Sequence, residues 1–401
     1  MNKKSIGISL NSLLLFVFWS LYFLPLALTH IQPRAEYIAL VVRMPVVIVS
    51  LLNIKGGYFS QYLKKGSYLF FIVVMLIWNL FCILINTPEY ILSYLADAYQ
   101  LVELVVVMLY SFRTYGLSGL KPLYYVSIVY ILLSFVIMVA YPNGLYISNV
   151  ASSTDRAQWL FGSKNNVGVY NAVFCFVIIL FRTKCSVLSR LFTGLVIFIS
   201  CYCVASAGDN RMSFLEGSST GILMCIVIVF TLFISNTRKF SAGKQNLITP
   251  NKIVVFSLLA NLILVCGLSI SFVNDFIVEV FHKSDTFSGR TYVWASVIKY
   301  IGKSPIIGHG ITRVVFYGSV LTSTYNVFLG IIKAFGIPSA FIFFVALKSI
   351  KPSTDRNIQI ALIGLATCFL NGLMSQVSLS FLVFFMTLAC LLYNNETNAK
   401  K

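Results

Sequence analysis

The chain has 401 residues, 58% of them apolar and 10% charged, with a mean hydropathy of +0.88. Soluble domains carry about 25% charged residues, so the composition excludes a soluble protein and predicts an all-α polytopic integral membrane protein. The net charge of +18 does not imply a nucleic-acid partner, because the basic residues sit in short loops between apolar runs and form no single patch.

Apolar runs long enough to cross a bilayer fall near 6–28, 37–54, 67–86, 91–112, 122–141, 166–181, 187–206, 212–235, 252–273, 326–347, 357–374 and 376–393, which predicts about twelve transmembrane helices in a single integral domain over 1–401. Lys3 and Lys4 precede the first run and no small-residue cleavage site follows, so that run reads as a retained helix and not a signal peptide. Most of the basic residues, among them Lys64, Lys65, Arg113, Lys121, Arg182, Lys184, Arg190, Arg238 and Lys239, occupy alternate loops with few acids. The positive-inside rule makes those loops cytoplasmic, with both termini inside. Two long loops, 142–165 and 274–325, then face the periplasm. Arg43 and Lys333 lie within spans.

The loop 274–325 contains an ordered stretch before the tenth span, FSGRTYVWASVIKYIGKSPIIGHG over 287–310. Arg290 opens it, and Trp294, Val297, Ile298 and Ile301 recur at helical spacing, with Lys299 and Lys303 on the other face. Ser304-Pro305, Gly308 and Gly310 stop the run. The pattern predicts an amphipathic helix lying on a membrane surface.

No Gly-x-x-x-x-Gly-Lys-[Ser/Thr] loop occurs, and the cytoplasmic loops are too short for a catalytic domain. Any chemistry is therefore expected at the outer face, without ATP or a sugar nucleotide. The nine cysteines form no CxxC pair, and neither a cofactor nor a metal is expected. Asp275 and Glu279, one turn apart, have no evident third ligand and read as a solvated face.

Several polar residues have two readings. A mid-span arginine such as Arg43 costs about 2.5–3.5 kcal/mol on insertion scales. It either lines a cavity or meets a lipid phosphate, or it pairs with Asp97 or Glu103. Glu216, five residues beyond Arg211, is a general-base candidate or a helix-packing residue among small neighbours. His309, between two glycines, either reaches a substrate or is a solvated loop residue. Arg156, Arg211, Arg290 and Arg313 come from three different outer segments. Guanidinium groups stay charged when partly desolvated and match phosphate oxygens, so together these arginines predict an anionic lipid-linked substrate.

Four stretches resemble the O-antigen polymerase (Wzy) and O-antigen ligase (WaaL) superfamily. RAQWLFGSKNNVG over 156–168 resembles its Gly…Asn-x-x-Gly segment at Gly162, Asn165 and Gly168. SAGDNR over 206–211 resembles its Ser-Gly-Ser-Arg turn with one extra residue before Arg211. Gly289-Arg290 with Trp294, Pro305, Gly308 and Gly310 is similar to Gly-Arg-x-x-x-Trp…Pro-x-x-Gly-x-Gly. YNVFLGIIKAFG over 325–336 is similar to His-Asn-x-x-Leu…Gly, with Tyr325 where ligases usually have histidine, and this departure leans towards the polymerase.

The resemblance implies a glycosyltransferase of the bacterial inner membrane, active in lipopolysaccharide O-antigen biosynthesis. It would join undecaprenyl-diphosphate-linked oligosaccharide repeat units at the periplasmic face, and a chain-length regulator protein and membrane lipids are its implied partners. Arg211 and Arg290 would hold the departing diphosphate, with Glu216, His309 and Tyr325 as candidate bases. Arg156 and Arg313 would hold the second lipid-linked substrate or its sugars, Asn165 and Asn326 would be substrate-binding, and Trp294 would seat the helix at the lipid–water boundary. A ligase that hands glycan to lipid A-core shares this chemistry. A lipid-linked oligosaccharide flippase has a similar span count but should show two like halves with short loops, and a structural subunit of an export complex would have no activity of its own.

Overall fold

The computed structural model describes residues 10–54, 56–147, 157–182, 186–207, 219–237, 247–266, 290–312, 314–316, 319–321, 324, 326–374 and 378–399. In chain order the helices are α1 (Leu10–Tyr22), α2 (Leu26–Ile31), α3 (Ala35–Asn53), α4 (Gly56–Tyr62), α5 (Tyr68–Asn86), α6 (Ile91–Tyr115), α7 (Lys121–Ala140), α8 (Lys164–Arg182), α9 (Val187–Ser206), α10 (Ser219–Ile234), α11 (Pro250–Cys266), α12 (Arg290–Ile301), α13 (Val327–Lys348), α14 (Arg356–Met374) and α15 (Leu379–Ala399). Two antiparallel ribbons, β1 (Tyr146–Ile147) with β2 (Ala157–Gln158) and β3 (Val314–Phe316) with β4 (Ser319–Leu321), fall in the two long loops. Neither ribbon was legible in the sequence, because two- and three-residue strands are too short to show alternation.

Among the described residues, 7 helical stretches are long and apolar enough to cross a membrane, one of them the 53-residue stretch Pro88–Ala140. That stretch holds two of the expected runs, α6 and α7, joined by a 3-10 turn at Gly116–Leu120. Asn11–Tyr22, Thr220–Ile234 and Pro250–Ile263 are apolar but shorter. The expected first run at 6–28 is not one helix. Pro25 sits in extended geometry (φ −60°, ψ 130°) between α1 and α2, since a proline nitrogen has no proton to continue a helix. The Ala27 amide donates instead to the Leu160 carbonyl at 3.0 Å.

The chain divides into two compact units, one comprising Met1–Lys55, Glu103–Ser241 and Asn398–Lys401, the other Gly56–Val102 and Ala242–Thr397. In the first, α8 packs against α7, α9 and α10 and is apolar on every side, with Val173 to Ile179 fully buried. Phe161 stacks on Tyr170 with centroids 4.4 Å apart, and Phe174 meets Phe23, Tyr130 and Phe161. A side chain at Gly168 would lie 2.7 Å from the Met224 methyl, so this glycine sets the approach of α8 to α10. Gly162, at φ 89°, closes the turn with Trp159.

The two readings of Arg43 are resolved here. Its guanidinium lies 2.8 Å from a Glu103 carboxylate oxygen, with both side chains buried, donates to the Leu21 carbonyl at 2.8 Å and sits 5.4 Å from the Tyr22 ring centroid. It is the pairing role, with Glu103 and not Asp97, that the fold uses.

In the second unit α13 is central. It packs along α5 and also meets α11, α12 and α14. Phe328 stacks between Phe344 and Phe369 at 5.0 and 5.4 Å. The Tyr68 hydroxyl reaches Thr387 Oγ1, and Ser339 Oγ donates to Asn79 Oδ1 at 2.7 Å.

Candidate active site

Asn326 opens α13. Its Oδ1 accepts the amides of Phe328 and Leu329 at 3.0 and 3.1 Å, which satisfies two of the donors that a helix start leaves free. Its Nδ2 donates to Asn261 Oδ1 at 2.8 Å and to the Leu373 carbonyl at 3.2 Å. The side chain is fully buried, so one amide joins the start of α13 to the body of α11 and to the end of α14. This is a fastening, and it leaves no free atom of Asn326 for a substrate.

Trp294 is buried to 1% exposure with Val293, Val297 and Leu329, and Ile301 packs beside them. Its Nε1 donates to the Thr324 carbonyl at 3.1 Å, and Thr324 Oγ1 donates to the Asn326 carbonyl at 2.7 Å. The apolar face of α12 is therefore turned into the protein against α13, not onto a lipid surface as expected. Ile298, assigned to that face by spacing, is 42% exposed, and Val293 takes its place. The reason is a rotation of the stripe: Val293, Trp294 and Val297 follow an i, i+1, i+4 pattern that points at Leu329.

Helix α13 is broken in its middle. Gly336 adopts φ 77°, ψ 173° and Pro338 follows, so the helical ladder stops and carbonyls are left over. The loop after α12 takes them up. The His309 amide donates to the Lys333 carbonyl at 2.8 Å, the Gly310 amide to Ala334 at 2.9 Å, and in return the Ile337 amide donates to Pro305 at 2.8 Å. The Phe335 carbonyl accepts from Trp78 Nε1 at 2.9 Å.

The fit of loop to helix requires its glycines. A Cβ on Gly336 would lie 1.8 Å from the Ile306 carbonyl oxygen, and one on Gly308 would lie 2.5 Å from that of Ala334. The end of α5 grips the same loop: Asn86 Nδ2 donates to the Ile307 carbonyl at 3.2 Å, and Thr87 Oγ1 accepts the Ile311 amide at 3.2 Å.

His309 is half-buried on this loop, stacked on Tyr300 with centroids 3.8 Å apart. Its Nε2 is 2.7 Å from the Tyr300 carbonyl oxygen. A carbonyl only accepts, so Nε2 carries the proton and the lone pair of the neutral ring is on Nδ1. Lys333 is buried within α13 and its Nζ donates to the Thr312 carbonyl.

Of the site residues expected from sequence, Trp294, His309 and Asn326 are joined through Thr324 and α13 in this unit. Asn165 belongs to the other unit, where it lies half-buried in the first turn of α8. Arg290 is the first residue of α12, one turn before Trp294, with its side chain outside the described residues. Arg156, Arg211, Glu216, Arg313 and Tyr325, and the pair Asp275 and Glu279, also lie outside them. The reading of sequence missed Lys333 and Thr87. The signal for Lys333 was present, a lone cation inside an apolar span, whereas nothing in the sequence marks Thr87.

Comparison of the chain with curated proteins finds no match. Residues 212–344, about a third of the chain and including α10 to α12 and most of α13, are similar to the family described as O-antigen ligase.

Proposed function

We propose that this protein is a membrane glycosyltransferase acting on lipid-linked glycans. Its specific activity on this reading is that of an O-antigen polymerase, joining undecaprenyl-diphosphate-linked repeat units at the periplasmic face of the inner membrane. The observation that carries the reading is the agreement between the family match over 212–344 and the hydrogen-bonded assembly of its motif residues, in which Trp294, Gly308, Gly310, Asn326 and Gly336 all fix one loop against one broken helix. The ligase is the second reading, favoured by the description of that family. Tyr325 in place of histidine favours the polymerase.

In the proposed reaction an acceptor sugar hydroxyl attacks the anomeric carbon of the donor. The bond from that carbon to the diphosphate oxygen breaks with its electron pair on the diphosphate, and the hydroxyl proton passes to a base or to water. Negative charge gathers on the leaving group, so fixed cations there lower the barrier. Arg290 at the start of α12 and Arg211 are assigned that role. The Nδ1 lone pair of His309 makes it a base candidate, with Glu216 and Tyr325. Arg156, Arg313 and Asn165 are assigned to the acceptor.

The test is complementation of cells lacking the gene. If lipopolysaccharide from the null has core plus a single repeat and the wild-type gene restores the ladder, the polymerase reading holds. Arg290→Ala, present at normal level, should then fail to restore it. Bare core with accumulated lipid-linked polymer would establish the ligase instead. Loss of lipid-linked repeat units from the outer face would overturn both in favour of a flippase.

A further inference from the structure

We infer that Lys333 and Thr312 form a binding site for a lipid-borne phosphate, sited where the 302–312 loop meets the break in α13. Lys333 is buried, 9% exposed, in the middle of an apolar helix. Buried charges in folded proteins are paired, as Arg43 is with Glu103. Lys333 has no carboxylate partner among the described residues. Its ammonium group has three donors, and one of them meets the Thr312 carbonyl.

The Thr312 hydroxyl oxygen is itself buried, with no hydrogen-bond partner among the described residues. An ammonium with donors to spare and an unused hydroxyl on the residue it touches both call for an acceptor-rich anion. A helical side chain leans towards the N-terminus of its helix, so Lys333, about 10 Å along α13 from Asn326, reaches back towards the loop. Lys333 lies in a helix long and apolar enough to cross a membrane, and either a polyprenyl diphosphate or a phospholipid headgroup has the required chemistry.

The site is tested on the full-length protein in phosphatidylcholine nanodiscs. The affinities of undecaprenyl diphosphate, phosphatidylglycerol and uncharged undecaprenol are measured for the wild type, Lys333→Gln, Lys333→Arg and Thr312→Val. Loss of one charged hydrogen bond predicts about tenfold or weaker binding of the phosphate lipid to Lys333→Gln, with undecaprenol unchanged and Lys333→Arg close to wild type. Thr312→Val, which keeps the carbonyl contact of Lys333, should weaken phosphate binding alone and serves if Lys333→Gln does not fold. A larger loss for undecaprenyl diphosphate than for phosphatidylglycerol identifies a polyprenyl-diphosphate substrate as the source, and the reverse identifies a headgroup. Equal phosphate affinity in the wild type, Lys333→Gln and Thr312→Val would overturn the site. That result would leave the polymerase reading standing, because the ladder assay decides it separately.

Discussion

The His309 amide donates to the Lys333 carbonyl at 2.8 Å, which ties a loop residue to the last regular turn before the break in α13. The bond exists because Ile337, whose amide would otherwise serve that carbonyl, is turned by Gly336 towards Pro305. Loop and break are thus one structure, each supplying the hydrogen bonds that the other lacks.

Gly336 should therefore tolerate no side chain. At φ 77° an alanine is strained, and its Cβ would meet the Ile306 carbonyl. Gly336→Ala is expected to cost at least about 2 kcal/mol, read as a fall in thermal midpoint of the purified protein together with loss of the polysaccharide ladder. Gly57→Ala, where nothing lies within 4 Å, is the control and should change neither.

Asn326→Ala removes a cap and strands two acceptors in the interior. The cap is worth about 1 kcal/mol and the buried unpaired groups about 1–3 kcal/mol more. Asn326→Ser keeps a capping oxygen and should recover about 1 kcal/mol in a denaturation series. Equal stability of the Ala and Ser variants would mean that the cap contributes nothing.

The Arg43–Glu103 pair predicts a sharp asymmetry between single and double replacements. Either Arg43→Met or Glu103→Leu alone leaves a buried charge and should cost about 3–5 kcal/mol, whereas the double variant should recover most of that loss. A ladder restored in cells by the double variant would mark the pair as structural, while a stable but inactive double variant would return Arg43 to the cavity or lipid-phosphate reading.

Trp294 and Ile298 separate inward packing from a surface role for α12. Trp294→Ala is expected to cost about 3–5 kcal/mol, and Trp294→Phe about 1 kcal/mol for the lost bond to Thr324. Ile298→Ala should cost less than about 1 kcal/mol, as a partly exposed site requires. Thermal unfolding of the three variants checks the order, and a larger loss at Ile298 than at Trp294 would contradict the packing described here.

The sequence by itself determined the class of this protein and most of its helices. Apolar runs, unlike short strands, carry a strong and local signal, and α5, α8, α9 and α13 lie within two residues of the runs that predicted them. It also marked Asn326, Gly308, Gly310 and Gly336 by their order along the chain. Only the tertiary structure decided what these residues do. Whether Arg43 meets Asp97 or Glu103, which face of α12 is buried, and that Gly336 breaks a helix for a loop 26 residues earlier (336 − 310) to complete are matters of long-range pairing. A hydrogen bond between distant segments leaves no periodicity in either one, so it becomes visible only when the fold brings donor and acceptor together.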